Sequence, residues 1–372
     1  MSLTLHSLNA ARVLAEYVVV HYHISFLFPE SKGMLSQRTM PDNLMSFFFV
    51  LSGFVATYSN RHVDFGEHSN KVQYISKRFN KTYIFYLLMF ALDIPGTIIG
   101  RHTDCKYFWL SLLSQPLLVH SWLGIQHISI SNGVGWYLCT LYWLWIIFPY
   151  LQVSRMFSFH PWIKLCVLYG LSVLLWIMLA PFNIVYTRAV PLFRIFEFLM
   201  GCCVAFTLDR KIPDIIILGG ILLFFSYCAF DFHHPEIWPN EELFGNCTLW
   251  IKRHDQSVTP TIILSKFSIV WSVIIHWLAC SELSGKDDNM VVSFLQHEFF
   301  KSMSSFSLQL YLSHYTVACF IKTMSIAIGV FGWWDLDTMI LACYAVAYMI
   351  HYYVLILPDL SMTHYYYLNR LV

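Results

Sequence analysis

Long apolar stretches separated by short polar segments recur along the chain from one end to the other. The hydrocarbon core of a bilayer is about 30 Å thick, and a helix of roughly 20 apolar residues crosses it. Because a helix satisfies its own backbone polar groups in lipid, stretches of this length predict membrane-spanning helices. Ten spans are predicted, at 7–29, 44–60, 80–100, 134–153, 161–181, 188–207, 213–231, 262–281, 304–326 and 337–357.

The apolar segment 107–123 departs from this pattern because it is short and Pro116 interrupts it. We interpret it as a re-entrant or interfacial segment. No motif repeats with a period of 20–50 residues, and no segment is of low complexity. The predicted fold class is therefore all-α, a polytopic membrane protein of about ten transmembrane helices. Residues 1–372 are expected to form one membrane domain with no separate soluble domain.

The composition supports this prediction. Hydrophobic residues make up 57% of the chain and charged residues only 12%, whereas soluble domains carry about 25% charged residues. A net charge of +1 gives no basis for binding nucleic acid. The ten cysteines have neither the spacing of a zinc site nor that of a disulfide framework, so no metal is predicted.

Lysine and arginine in short loops predict the orientation, since cytosolic loops are enriched in them. The segment 61–81 carries five of these residues, and later loops on the same side carry more. The opposite side holds the long loop 232–261, rich in His, Glu and Asp, although a few basic residues also lie on that side. With ten spans, both termini are expected to face the cytosol.

The first span contains the stretch "ARVLAEYVVVHYH", which carries an arginine, a glutamate and two histidines. A helix turns about 100° per residue, so Arg12, Glu16 and His23 share one face. His21 projects from another face. The rise from Arg12 to His23 is roughly 16 Å. Ionisable groups in a span cost about 2.5–3.5 kcal/mol each on insertion scales and usually face a partner or a cavity. A polar stripe of this length therefore predicts a cavity that extends through much of the membrane.

An arginine, ten intervening residues and a histidine in the first span resemble the hallmark of the membrane acyltransferase-3 family. Further stretches resemble family motifs in the same order along nearly the whole chain. They are "FFFVLSGFVAT" (47–57), "SKRFNKTYIFYLL" (76–88), "GWYLCTLYWLWIIFPYL" (135–151), "FRIFEFLMGCCVAF" (193–206) and "SSFSLQLYLSHYTVACF" (304–320).

The resemblance implies an integral-membrane enzyme that moves an acyl group, an acetyl group in particular, from acyl-CoA to a hydroxyl of a carbohydrate or other acceptor. Arg12 and His23 match the catalytic pair, with His23 as the base or as a transient acyl carrier. Arg78 and Lys81, one turn apart, are candidates for binding the phosphates of the donor. Acyl-CoA is then a substrate, and no bound cofactor is expected. The expected partners are the lipid bilayer, acyl-CoA and a carbohydrate or lipid-linked acceptor.

Three other polar side chains lie inside predicted spans and are candidates for lining the cavity together with Glu16. Arg194 and Glu197 stand at i,i+3, a spacing at which such a pair is most often a structural contact. A lone histidine inside a span, such as His314, is usually a hydrogen-bonded contact between helices, but its place in the family-like "YLSH" favours a role in the site.

The chain departs from the family pattern at a few positions. Lys81 stands where the family usually has a second arginine, and Ile84 where it has a proline. Leu141 and Leu357 stand where many members carry a glutamate. These departures support a second hypothesis, a non-catalytic relative that keeps the fold. A third hypothesis is a transporter or acyl-flipping channel lined by the same stripe, although the chain lacks the internal repeats typical of transporters.

Overall fold

The structure is a computed structural model. The structure describes residues 4–25, 39–99, 108–123, 133–153, 160–179, 189–209, 212–233, 267–285, 289–327 and 336–368. All of its long regular elements are helices, and no strand occurs within these ranges. The predicted all-α class is therefore confirmed. Most of the loop 232–261, on which the predicted orientation partly rests, lies outside the described residues.

Thirteen helices are present among the described residues. They are α1 (His6–Ser25), α2 (Thr39–Ser59), α3 (His68–Ile99), α4 (Phe108–Ser114), α5 (Gly135–Val153), α6 (Pro161–Leu179), α7 (Pro191–Val204), α8 (Asp214–His233), α9 (Ser268–Leu283), α10 (Met290–Leu295), α11 (Glu298–Ser305), α12 (Ser307–Ala327) and α13 (Leu336–Leu368).

Each of the ten predicted spans coincides with one helix, and α3 and α13 extend furthest beyond the predicted bounds. Helix α3 begins at His68 rather than near residue 80, so its basic first half is helical. Helix α13 extends to Leu368 and includes the family-variant position Leu357. An apolar run marks only the part of a helix that can lie in an apolar medium. The hydrogen-bonded helix itself can continue into the polar residues on either side. Within the described residues, no helix combines the length and the apolar character needed to cross a bilayer.

The segment 107–123 forms the short helix α4, which ends at Ser114 and is followed by turns. Pro116 lacks a backbone N–H and disfavours helical geometry in the residue before it, which accounts for the end of the helix. The turns are anchored to other elements: Tyr83 Oη donates to the Pro116 carbonyl at 2.8 Å, and Trp143 Nε1 donates to the Leu118 carbonyl at 2.7 Å.

Helices α2 and α7 pack with their backbones in close contact, because each has a glycine at the crossing. A Cβ on Gly53 would lie 1.8 Å from the Phe198 carbonyl oxygen. A Cβ on Gly201 would lie 1.8 Å from the Val50 carbonyl oxygen. Small residues permit this distance between helices. The pair α2–α7 is thus a rigid support against which α5, α6 and α9 pack.

Helix α1 is fixed at its first turn by a carboxylate from α9. The backbone N–H groups of His6 and Ser7 donate to Glu282 Oε1 and Oε2 at 2.8 and 2.9 Å, and Ser7 Oγ donates to Oε2 at 2.6 Å. The first N–H groups of a helix have no partner within the helix, so Glu282 caps α1 from another element. Beyond this cap, α1 packs against α2, α11, α12 and α13. The polar stripe of α1 meets the end of α11 and α12, because Arg12 donates to the Ser304 carbonyl and His23 contacts His314.

Candidate active site

The two histidines of α1 face different neighbours. His23 is half-buried, and its Nδ1 lies 2.9 Å from Nε2 of His314 on α12. His21 instead lies 6.2 Å from the ring of Tyr17, measured between centroids, and interacts electrostatically with Asp337 at the start of α13. The helical projection separated these histidines correctly.

His314 is fully buried and is fixed on two sides. Its Nδ1 lies 3.1 Å from the carbonyl oxygen of Leu310, one turn earlier in α12. Its own carbonyl oxygen accepts a hydrogen bond from Cys343 Sγ of α13 at 3.4 Å. The exposed fraction of the residue is 0%. The ring that contacts His23 is therefore positioned by both α12 and α13, and His314 makes contacts between helices, as is usual for a histidine inside a span.

Arg12 and Glu16 occupy the same stripe, closer to the start of α1. Arg12 Nη2 donates to the backbone carbonyl of Ser304, at the end of α11, at 3.0 Å. Glu16 is 3% exposed and interacts electrostatically with Arg12, while Ser307 and Tyr311 of α12 lie next to its carboxylate. Arg12 Nε and Glu16 Oε1 are both buried without a hydrogen-bond partner. Buried polar atoms of this kind are rare in folded proteins and usually face water or a ligand.

Tyr137 joins this group from α5 and was not among the site residues predicted from the sequence. It is close enough to interact electrostatically with Arg12 and Glu16. Its ring centroid lies 5.3 Å from that of Tyr311, whose hydroxyl donates to the Val134 carbonyl at 2.5 Å. Tyr137 lies within the family-like stretch at 135–151, which was the only signal for it; its contact with α1 is tertiary.

The predicted donor-binding cations lie together with Arg12. Lys81 is exposed and lies within electrostatic range of Arg12, Arg78 and Lys77. The guanidinium carbon of Arg78 lies 4.6 Å from the ring centroid of Tyr74 and 4.9 Å from that of Trp145. Burial lowers the pKa of Arg78, and the adjacent Tyr74 opposes this shift. Four like charges brought to one place create a positive potential that attracts anions.

Arg194 and Glu197 form a buried ion pair on α7, and each is 2% exposed. Arg194 Nη1 donates to both Glu197 oxygens at 2.9 Å, and Ser46 Oγ of α2 donates to Glu197 Oε1 at 2.7 Å. The Arg194 guanidinium also lies 5.2 Å from the ring centroid of Phe49. The ring of Phe49 in turn lies 5.0 Å from that of Tyr137. The pair thus links α7 to α2 and is separated from the Arg12 group by one aromatic ring.

Leu141, which replaces a glutamate of many relatives, is 5% exposed and belongs to an aromatic-rich core around α5. Within the described residues, no group of three or more His, Cys, Asp and Glu side chains is arranged to hold a metal ion.

Residues 5–352 match the model of the acyltransferase-3 family, which is described as "Acyltransferase domain". The chain belongs to the acyltransferase-3 family. No curated protein and no solved structure gives a significant match. Membership in the acyltransferase-3 family supports acyl transfer as the class of reaction. Every candidate site residue lies within the matched range.

Proposed function

We propose that this acyltransferase-3 protein is an integral-membrane enzyme that transfers an acyl group, an acetyl group in particular, from acyl-CoA to a hydroxyl of a carbohydrate or lipid-linked acceptor. The observation that supports it most is the placement of the α1 stripe. A cluster of cations surrounds one part of it, and a paired histidine lies at its other end.

The surface of two helices favours a membrane location. Side chains on one stripe of α6 are apolar and about half exposed, and α8 carries a second such surface. On α6 the residues are Ile163, Val167, Leu171, Leu174 and Met178. Contiguous apolar surface of this kind is unfavourable in water and marks contact with lipid or protein. We take the lipid bilayer as the partner of these surfaces, with both termini in the cytosol as the basic loops predict.

The cations are suited to the phosphates of the donor. Arg78 and Lys81 are one turn apart on α3, and Lys81 lies within electrostatic range of Arg12. Arginine binds phosphate through two parallel N–H donors, whereas lysine acts as a point charge. Arg12 and His23 are separated by roughly 16 Å along α1. A donor with its phosphates at the cations and its thioester at His23 would therefore extend along the stripe.

The chemistry at His23 is proton transfer coupled to acyl transfer. As the acceptor hydroxyl oxygen attacks the thioester carbonyl carbon, His23 takes the hydroxyl proton. The carbon–sulfur bond breaks, and the proton passes from His23 to the sulfur of the departing thiol. If His23 instead carries the acyl group, its nitrogen attacks the thioester carbonyl carbon, the carbon–sulfur bond breaks, and CoA leaves as the thiolate. The acceptor hydroxyl oxygen then attacks the acyl carbon, the carbon–nitrogen bond breaks, and the hydroxyl proton ends on the thiolate sulfur. Both routes give the same products, an ester and free CoA.

The test is transfer of labelled acetyl from acetyl-CoA by purified protein in native-lipid proteoliposomes, with the labelled product identified by mass spectrometry. We expect His23→Ala to reduce transfer by about 10²–10⁴-fold, the contribution typical of an acid–base group. His21→Ala is the matched control, since it changes a histidine of the same helix that faces Asp337 instead, and it should retain transfer.

The same preparation separates the alternatives. Transfer that persists in His23→Ala with the protein folded would refute the catalytic assignment. Movement of acyl groups or substrate across the vesicle membrane without a covalent product would favour a transporter. Binding of acetyl-CoA without transfer or flux in the wild type would indicate a non-catalytic relative.

A further inference from the structure

The contact between His23 and His314 is a directed hydrogen bond between two rings. The interplanar angle is 12°, and the ring centroids are 5.2 Å apart. The facing nitrogens are 2.9 Å apart. The centroid distance exceeds the nitrogen–nitrogen distance by about two ring radii, so the two facing nitrogens lie on the line that joins the centroids. The rings therefore meet edge to edge in a nearly common plane. The N–H bond and the lone pair of an imidazole both lie in the ring plane, so this arrangement is suited to one N–H···N bond.

The proton positions follow from the acceptor at the far side of His314. The Leu310 carbonyl oxygen, 3.1 Å from His314 Nδ1, can only accept, so Nδ1 carries the proton. A neutral imidazole has a single N–H, and complete burial favours the neutral form. His314 Nε2 therefore presents a lone pair to His23. It follows that His23 Nδ1 is the donor in the bond between the rings, and the lone pair of His23 lies on Nε2.

We propose that His314 is a positioning residue that fixes His23 in the tautomer with Nδ1 protonated and Nε2 basic. This proposal rests on the proposed function for its catalytic meaning. Nε2 is then the nitrogen that takes the proton of the acceptor hydroxyl and passes it to the departing thiolate of CoA, or that carries the acyl group. When His23 is protonated, its Nδ1–H bond to His314 becomes charge-assisted and stronger. His314 thus orients the base and stabilises its protonated form without touching the substrate.

Two variants of His314 separate this role from simple packing. His314→Phe keeps a flat ring but removes the acceptor. His314→Gln brings an amide oxygen close to the place of Nε2 and keeps the acceptor. We expect kcat for acetyl transfer to fall at least tenfold in His314→Phe, with KM for acetyl-CoA nearly unchanged, because the lost acceptor no longer fixes the His23 tautomer or stabilises its protonated form. His314→Gln should recover a substantial part of the lost kcat. Wild-type kcat in His314→Phe, or no recovery in His314→Gln when both are folded, would overturn the proposal.

A spectroscopic measurement tests the tautomer without any acyl transfer. In protein labelled with ¹⁵N-histidine and reconstituted in lipid, the two ring nitrogens give distinct signals according to protonation. The signals of His23 are those lost in His23→Ala. We expect Nδ1 protonated and Nε2 unprotonated in the wild type, and a loss of this preference in His314→Phe. If His314→Phe fails to fold, the wild-type spectrum and His314→Gln decide the matter.

The two measurements also distinguish failure of this proposal from failure of the proposed function. An Nε2-protonated His23 in the wild type would refute the role of His314 even if transfer is observed. The expected tautomer without transfer under any condition would leave the His314 assignment standing and refute the enzymatic function instead.

Discussion

Replacing Arg194 by methionine tests how far the buried ion pair holds α7 against α2. The change removes two hydrogen bonds of 2.9 Å from Nη1 to Glu197. It leaves a carboxylate in a site where both residues are 2% exposed, with Ser46 Oγ donating to it at 2.7 Å. Breaking a buried pair from one side typically costs about 3–5 kcal/mol, because the remaining charge is left uncompensated. We therefore expect Arg194→Met to lower the free energy of unfolding by about that amount.

The double variant carrying Arg194→Met and Glu197→Met distinguishes the charge from the packing. Two unbranched apolar side chains fill a similar volume and leave no buried charge, and such replacements are often neutral. The double variant should therefore be more stable than Arg194→Met alone, with a clear coupling energy between the two positions.

The assay is thermal unfolding of the purified protein in detergent, and Lys301→Met is the matched control. Lys301 forms an ion pair with Glu298 at the same i,i+3 spacing and a distance of 2.6 Å, but its side chain is 34% and that of Glu298 82% exposed. Exposed pairs contribute little, so this control should unfold at the wild-type temperature. If Arg194→Met and Lys301→Met behaved alike, burial would not be what makes the Arg194 pair important.

Two further predictions concern α1 and the cation cluster. Glu282→Ala removes the acceptor for the His6 and Ser7 amides. We therefore expect a loss of about 1–2 kcal/mol in the free energy of unfolding and faster hydrogen exchange in the first turn of α1. Unchanged exchange in that turn would contradict the capping role of Glu282. Lys81→Ala should raise KM for acetyl-CoA several-fold at low salt and less at high salt, because exposed charges are screened. Steady-state kinetics at two ionic strengths measures this change in KM. Lys71→Ala is the control, since Lys71 lies over the Tyr150 ring instead. An unchanged KM in Lys81→Ala would show that Lys81 does not bind the donor.

Much of the site could be predicted because helical geometry is local. Arg12, Glu16 and His23 share a face through their spacing alone, and the same geometry separated His21. The i,i+3 spacing of Arg194 and Glu197 predicted their ion pair, which the structure confirms. The partners of these side chains could not be found in this way. Arg12 donates to the Ser304 backbone, and no pattern in the sequence marks a carbonyl as an acceptor.

By itself, the sequence determined the helical class, the approximate places of ten helices, the polar face of α1 and membership in the acyltransferase-3 family. These features depend on periodicity, apolar content and motif order, all of which are properties of neighbouring residues. Only the tertiary structure decided that His23 meets His314, that Tyr137 joins Arg12 and Glu16, and that Glu282 caps α1. Such contacts join residues up to 291 positions apart and depend on how helices cross. At the α2–α7 crossing, for example, two glycines allow the two helices to approach closely, because each lacks a Cβ atom where a carbonyl of the other helix lies.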